Sequence, residues 1–266
     1  MISIIIPTLG NFNVNNLKHQ IIDNTEKIKF EIIFCIPKKN FSKLTKLLKY
    51  KNIRIIRSKN FNQVHQRLEA VNYARFNYIL QLDDDIILKK LFLTNIYNSS
   101  KILGSKFCLS PILKDVVTKK IIYKKHSYLS KLIYKILFQL DIDKNYGKLT
   151  SFGLAVDFSP YSKNIDLVDW LPGGCMLTTK TYYNHNKGQI FQNYEKSYYE
   201  DVYFSILSSH RKYLDYRISA YLYNTNLKEN FYINLKYLTY IYKLSKKKSI
   251  FKFAIFLIYR CLTRIF

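Results

Sequence analysis

Three consecutive aspartates, Asp83, Asp84 and Asp85, follow an apolar run in an otherwise basic chain. Carboxylate oxygens are the ligands that Mg²⁺ and Mn²⁺ prefer in proteins. Neighbouring carboxylates also repel each other by about 4 kcal/mol at 4 Å and an effective dielectric near 20, and a divalent cation relieves that repulsion. The acids therefore favour a metal site, and a solvated, inert turn is the alternative.

The residues before the acids predict how they are positioned. Residues 78–82 carry the large apolar side chains of a buried strand, and Asp is disfavoured inside a strand, so we expect the strand to end at the acids. Ligands bind at the carboxyl edge of an open α/β sheet. If strand alternation continued, Asp83 and Asp85 would share one side and Asp84 would point to the other. One of the paired acids would then bind the metal and the other a sugar hydroxyl or a metal-bound water.

Apolar and amphipathic segments alternate in the first half of the chain. In chain order, the predicted strands are residues 2–6, 30–36, 53–56, 78–82 and 107–113, and the predicted helices are residues 15–22, 41–50, 62–74 and 91–101. Pro7 closes the first strand and Thr8 opens the loop after it. This order predicts a Rossmann-like, mostly parallel sheet flanked by helices, with the acids at the end of its fourth strand.

Two later segments carry further candidate residues. Residues 168–178 contain Trp170, the only tryptophan, and Gly173-Gly174, the only Gly-Gly pair. Such a turn lets backbone approach a ligand closely, although an ordinary tight turn has the same composition. Glu200 and Asp201 begin a segment of helical spacing. Acids in a first helical turn are favoured by the helix dipole, so capping is the alternative to a functional role.

Together these segments resemble the family 2 glycosyltransferases with a GT-A fold. SIIIPT matches the opening strand of that family, LQLDDDI takes the place of its DXD motif, and Gln66-Arg67 lies where an arginine often precedes the acidic strand. Residues 198–207, YYEDVYFSIL, resemble the family's ED motif. The matches occur in the family's order and cover roughly the first 225 residues.

The resemblance implies an inverting, metal-dependent transfer of a sugar from a nucleotide-diphosphate donor, a UDP-sugar or dTDP-sugar, to a hydroxyl of a saccharide or lipid-linked saccharide in cell-surface glycan synthesis. It makes Asp201 the catalytic base and places Mn²⁺ or Mg²⁺ on Asp85 and Asp83. The implied donor-binding residues are Pro7, Thr8, Arg67, Asp83 and Asp84, and the implied acceptor or sugar loop includes Trp170, Gly173, Gly174 and Glu200. Arg67 would meet a phosphate or anchor the acidic strand. Many relatives have an acid after the second strand that recognises the nucleotide base of the donor. This chain has Pro37, Lys38 and Lys39 there, which leaves the identity of that nucleotide base open.

Composition restricts the partners. The formal net charge is +25 and aromatic residues make up 16% of the chain, so we expect attraction to an anionic partner. No nucleic-acid-binding motif is recognisable, and we do not expect nucleic acid to be that partner. The alternatives to a glycosyltransferase are a basic nucleic-acid-binding protein on a nucleotide-binding fold and a nucleotidyltransferase, although no glycine-rich phosphate loop follows the first strand.

The chain is predicted to divide into a domain over residues 1–225 and a basic, aromatic helical tail over residues 226–266. The tail has nine Lys and Arg residues, one Glu and long apolar runs, which is typical of a helix lying on an anionic membrane surface. Packing on the domain or dimerisation is the alternative. Residues 126–140 also have helical spacing, and that helix either packs on the core or contacts membrane or acceptor lipid.

The location expected from the sequence is cytoplasmic, peripheral on the inner face of the cell membrane. The first ten residues lack a basic leader and enter a strand directly, so we expect no secretory signal. The four cysteines are scattered without zinc spacing and are predicted to be reduced thiols. No stretch reaches the roughly 18 uninterrupted apolar residues of a spanning helix.

Overall fold

The computed structural model describes residues 1–10, 28–122, 126–184, 199–222, 231–244 and 249–265. The helix predicted over residues 15–22 lies outside these ranges. The strands are β1 Ile2–Pro7, β2 Phe30–Pro37, β3 Ile53–Ser58, β4 Tyr78–Leu82, β5 Ile86–Leu88, β6 Phe107–Asp115, β7 Ile165–Val168, β8 Cys175–Thr179 and β9 Arg211–Leu222. The α-helices are α1 Gln63–Asn72, α2 Phe92–Ser100, α3 Tyr128–Phe138, α4 Lys180–Asn184, α5 Glu200–Leu207, α6 Phe231–Leu244 and α7 Ile250–Ile265, and 3-10 helices cover Lys38–Lys49 and Ile142–Lys144.

One nine-stranded sheet organises these elements in the order β3-β2-β1-β4-β8-β6-β9-β5, with β7 paired to β9. The first four strands of this order are mutually parallel, as the sequence predicts. Strand β8 then joins β4 in the antiparallel sense. Because β1 and β4 are parallel neighbours, their carboxyl ends meet at one edge, where Pro7 and the three aspartates lie.

Both faces of the parallel strands are buried. Ile4 and Leu80 belong to the core on one face, whereas Ile5 and Ile79 belong to the core on the other. Strands covered on both faces are nearly continuous in apolar residues, which explains why these segments were easy to predict. Helix α1 begins where expected because the Asn62 side chain accepts hydrogen bonds from two backbone amides of its first turn.

The carboxyl-terminal helices pack on the domain through one of their faces. Leu238 of α6 and Phe253 and Phe256 of α7 are buried in a cluster that also contains Phe138 of α3. The rings of Phe138 and Phe256 lie 5.5 Å apart. No helix within the described ranges is both long and apolar enough to cross a membrane. None of the four cysteines, all of which lie within the described residues, is joined to another by a disulfide.

Candidate active site

The three aspartates lie directly after β4, but they do not continue its alternation. The chain turns at Asp84 and Asp85 before it enters β5. Asp83 and Asp84 are partly buried, whereas Asp85 is exposed. The expectation that Asp83 and Asp85 share one strand face is therefore corrected, since the extended backbone that it requires ends at Leu82.

Asp84 is tied to the end of β1. The Thr8 hydroxyl donates a hydrogen bond to the Asp84 carboxylate, and it accepts one from the Gly10 amide at 2.9 Å. The Thr8 amide donates to Gln66 Oε1 at 3.1 Å. Burial raises the pKa of Asp84, and the bond from Thr8 opposes that rise. The structure thus brings the two predicted residues together, and Asp84 joins β1 to the acidic turn.

Arg67 connects the two acidic motifs. Its guanidinium, whose side chain is only 6% exposed, binds Asp83 Oδ1 through Nη2 and Glu200 Oε1 through Nη1. Gln63 Nε2 also donates to Asp83 Oδ1, at 2.7 Å. Burial alone would lower the pKa of Arg67, but Glu200 and Asp83 outweigh it and raise that pKa. Arg67 was expected either to meet a phosphate or to anchor the acidic strand, and these contacts match the anchor.

The Gly173-Gly174 turn lies between the two motifs. The Asp83 amide donates to the Gly174 carbonyl at 2.8 Å. A Cβ on Gly174 would lie 3.2 Å from Asp83 Oδ2, whereas one on Gly173 would lie 3.5 Å from both Asp201 Cβ and Glu200 Oε1. Backbone therefore comes close to carboxylates on both sides of this turn.

A buried hydrogen-bond chain holds the turn in place. Gln81, the penultimate residue of β4, donates through Nε2 to the Gly173 carbonyl, and the Tyr183 hydroxyl donates to Gln81 Oε1 at 2.9 Å. The strand that carries the aspartates thus also fixes the glycine turn.

Trp170 is placed differently from the acceptor contact that the sequence suggests. Its indole stacks on Phe158 with ring centroids 4.6 Å apart, and Nε1 donates to the Val156 carbonyl at 2.9 Å. The side chain is 9% exposed. In this structure Trp170 supports the loop from the core, and its assignment to the acceptor or sugar loop stays a prediction.

Asp201 lies in the first turn of α5, behind the glycine turn. The helix follows Tyr199, whose φ of 56° is in the left-handed region. Asp201 Oδ1 accepts a hydrogen bond from the Val202 amide at 2.8 Å. Burial, and after it the charge of Glu200, raises the pKa of Asp201 to about 6. A carboxylate with a pKa brought towards neutrality suits general base chemistry better than an ordinary aspartate.

Glu200 has a different task from that of a simple helix cap. Its carboxylate pairs with Arg67, so it links α5 to α1 and, through the arginine, to Asp83. The capping alternative considered for the acids of this segment therefore does not describe Glu200. Tyr198, at the start of the predicted motif, lies outside the described residues.

A small cavity lies under the glycine turn, lined by Arg67, Gln81, Gly173, Tyr183 and Asp201 among others, with a volume of about 20 Å³. This space admits a single water molecule. It is far below the roughly 300–1,000 Å³ of small-molecule pockets. A ligand larger than a water molecule would therefore lie outside this cavity.

The residues fit a divalent cation that is held partly by its substrate. Among the described residues, no three His, Cys, Asp or Glu side chains gather as a complete set of ligands. Mg²⁺ sites of nucleotide-using enzymes, however, commonly take one or two carboxylates plus substrate phosphates and water. Exposed Asp85 and the second oxygen of Asp83, next to Gly174, match that incomplete set; Asp83 Oδ1 is already bound by Arg67 and Gln63.

Several supporting side chains were missed in the sequence, namely Gln63, Gln66 as a partner of Thr8, Gln81 and Tyr183. Gln81 could have been identified from the sequence, because it is the one polar residue in the apolar run of β4. A polar side chain in a buried strand needs a partner. Gln63 and Tyr183 gave no such signal, since their partners are set by how distant segments pack.

Comparison with known proteins supports the fold. No family model and no curated protein matches the sequence. Among solved structures, the chain is similar to residues 1–349 of S. aureus TarS in complex with UDP-GlcNAc, at 15% identity and a TM-score of 0.53, covering 94% of this chain and 69% of TarS 1–349. It is also similar to GalNAc-T7 with UDP, GalNAc and Mn²⁺, at 12% identity and a TM-score of 0.64, covering 91% of this chain and 47% of the other.

These similarities concern the path of the backbone. Both structures are GT-A glycosyltransferases, so the predicted α/β fold of GT-A type is confirmed. The chain spans about half the length of the GalNAc-T7 chain. At 12–15% identity the fold is shared, and residue roles have to be argued from the geometry of this chain.

Proposed function

We propose that the protein is a glycosyltransferase that uses a nucleotide-diphosphate sugar, with a UDP-sugar as the donor. One observation carries the proposal: the acidic end of β4 and the partly buried base candidate Asp201 flank the same glycine turn, on the edge of the sheet where this fold binds ligands. UDP-GlcNAc in TarS and UDP with GalNAc in GalNAc-T7 support the choice of donor.

In this reaction Asp201 is the general base. Its carboxylate takes the proton of an acceptor hydroxyl as that oxygen bonds to the anomeric carbon, and the bond from that carbon to the diphosphate oxygen breaks. UDP leaves with the bonding electron pair. Because the acceptor attacks opposite the leaving group in one displacement, the configuration inverts. The burial that raises the pKa of Asp201 to about 6 makes it a stronger proton acceptor than an ordinary aspartate while leaving it ionised at pH 7.

The remaining residues bind and orient. Asp85, with the free oxygen of Asp83, would hold Mn²⁺ or Mg²⁺, which supplies positive charge to the departing diphosphate. Pro7 and Thr8 line the nucleotide at the end of β1. Gly173 and Gly174 let backbone approach the sugar. Arg67 acts indirectly, because its guanidinium is occupied by Asp83 and Glu200 and fixes the spacing between the donor and base sides.

We further propose that the chain is an inverting enzyme of family 2 type that acts in cell-surface glycan synthesis, with a saccharide or lipid-linked saccharide as acceptor. Its net charge of +25 supports a peripheral position on the inner face of the cell membrane, where anionic headgroups and lipid-linked acceptors lie.

The test is thermal stabilisation of the full chain by a panel of sugar nucleotides, with and without Mn²⁺. We expect a UDP-sugar to raise the melting temperature more with Mn²⁺ than with chelator, and Asp85→Ala to remove the Mn²⁺-dependent part. Asp166→Asn, a change on β7 away from the site, is the control. Absence of stabilisation by every sugar nucleotide would refute the proposal, whereas a donor that binds equally well in chelator would refute only the metal assignment.

A further inference from the structure

Helices α3 and α7 each have an apolar face that no other described element covers. On α3, Tyr128, Leu129, Leu132 and Ile136 are 83%, 55%, 40% and 64% exposed. On α7, Ile250, Phe251, Ile255 and Ile258 are 80%, 75%, 36% and 60% exposed. Both sets recur at helical spacing, so they form stripes and not scattered side chains.

The opposite faces of the same helices are already used for packing. Tyr134, Leu137 and Phe138 of α3 share a buried cluster with Phe253 and Phe256 of α7. The rings of Tyr134 and Phe256 lie 6.3 Å apart. An apolar helix face is normally buried against another element. Among the described residues, each of these helices is covered on one side only, so its second side fits an apolar partner that the described part of the chain does not supply.

The charges beside these stripes identify the partner. Neither α3 nor α7 contains Asp or Glu, whereas Lys131, Lys135 and Lys252 lie on them. Because Lys131 pairs with Asp143 at 2.6 Å, the excess positive charge of these three lysines lies on Lys135 and Lys252. In the sequence, Lys246, Lys247 and Lys248 come just before the exposed Ile250 and Phe251. Aromatic and aliphatic side chains next to clustered lysines are the composition of a surface that lies in an anionic lipid interface.

A second copy of the chain fits this surface less well. Two copies would bring like charges together, because each carries a net charge of +25. A bilayer supplies both an apolar phase for the stripes and anionic headgroups for the lysines. We propose that the exposed stripes of α3 and α7 are the surface through which the protein binds an anionic lipid bilayer. This inference does not depend on the proposed transferase activity, because binding to lipid is measured without donor or acceptor.

The experiment is flotation of the full chain with phosphatidylcholine vesicles that contain or lack phosphatidylglycerol. We expect binding to the anionic vesicles only, and lower binding at high salt. Leu132→Ser with Phe251→Ser should reduce the partition coefficient by about tenfold or more, since each change removes a side chain that enters the interface. Lys135→Glu should reduce it several-fold.

Val117→Ser is the matched control. Val117 is 79% exposed and lies in the turn after β6, so its replacement should leave vesicle binding unchanged. All variants alter exposed side chains, and unchanged melting temperatures would show that they fold. Equal binding of the double variant and the control would overturn the proposal, as would absence of binding by the wild type. Light scattering that finds a wild-type dimer, split by the double variant, would assign the stripes to a second copy instead.

Discussion

The two acidic motifs of the site have similar composition but differ in exposure and in how far the pKa of their carboxylates is raised. Asp85, at the end of β4, is exposed, whereas its neighbours Asp83 and Asp84 are partly buried, as Asp201 is. Asp201, in the first turn of α5, is placed where burial raises its pKa to about 6. The strand end thus offers charge to a cation and solvent, whereas the helix start offers a proton acceptor. The difference shows that position in the fold, and not residue type, divides the chemistry.

Among the changes that test this comparison, removal of the catalytic base should have the largest effect, and that effect is on turnover. Asp201→Asn keeps the shape of the side chain but cannot accept the proton, so we expect kcat to fall by about 10²- to 10⁴-fold. Binding of the UDP-sugar, measured by thermal stabilisation, should change little. Asp166→Asn should keep full activity. If Asp201→Asn were as active as wild type, another group would have to be the base.

Loss of the link between the motifs should mainly affect stability. Arg67→Met leaves Asp83 and Glu200 without their buried partner, and breaking such a pair costs about 3–5 kcal/mol. Arg75→Met is the control, because Arg75 is 69% exposed and lies 3.8 Å from Glu31, and we expect it to cost at most about 1 kcal/mol. Urea denaturation measures both. Equal costs would mean that Arg67 is not the anchor described here.

The same Asp201→Asn change should stabilise the protein. The pKa of Asp201 is raised from 3.8 to about 6, so ionisation above that pH costs folding free energy and the folded state regains stability as the pH falls from about 6 towards 3.8. A neutral amide avoids that cost, so we expect a gain of about 1–3 kcal/mol at pH 8. The gain should shrink as the pH approaches 4. A variant that is less stable at pH 8 would show that the carboxylate is better accommodated than its burial indicates.

The pH dependence of turnover gives a graded test of the same assignment. If Asp201 acts as the base, kcat/KM should fall tenfold per pH unit below about pH 6 and level off above it, because only the ionised carboxylate accepts a proton. A profile that stays flat down to pH 5 would contradict a base with this pKa.

The smallest effect is expected at the glycine turn. A Cβ on Gly174 would lie 3.0 Å from Ile86 Cδ1 and 3.2 Å from Asp83 Oδ2, whereas one on Gly173 meets only ordinary contacts of 3.5 Å. Gly174→Ala should therefore cost about 1–2 kcal/mol more than Gly173→Ala in thermal unfolding. The reverse order would mean that the turn relaxes away from the acidic strand.

Much of the fold was readable in the sequence because the parallel strands are buried on both faces. Their continuous apolar runs and the Pro37 and Asp83 boundaries mark β2 and β4 directly. β7 was not predicted, since its four residues IDLV are unevenly buried, with Leu167 exposed and Val168 buried, and carry no such run. Among the site residues, the acids and glycines were found by type and order.

The contacts among those residues were not readable in the same way. Arg67 is separated from Asp83 by 16 residues and from Glu200 by 133, and no local pattern states that one guanidinium meets both. Strand alternation likewise gave a wrong prediction for Asp83 and Asp85, because the chain turns after Leu82. Trp170 was assigned to the acceptor loop by its neighbourhood, whereas its partners Phe158 and Val156 are set by packing.

The arginine bridge limits how this chain can be re-engineered. A segment exchange meant to alter the donor would act on the segments that we propose to bind it, which begin at Asp83 and at the glycine turn. A graft that brings a new acidic turn without a matching Arg67 and Glu200 would leave a buried charge unpaired, at the cost given above for Arg67→Met. Chimaeras should therefore exchange α1, the acidic turn and the start of α5 as one unit.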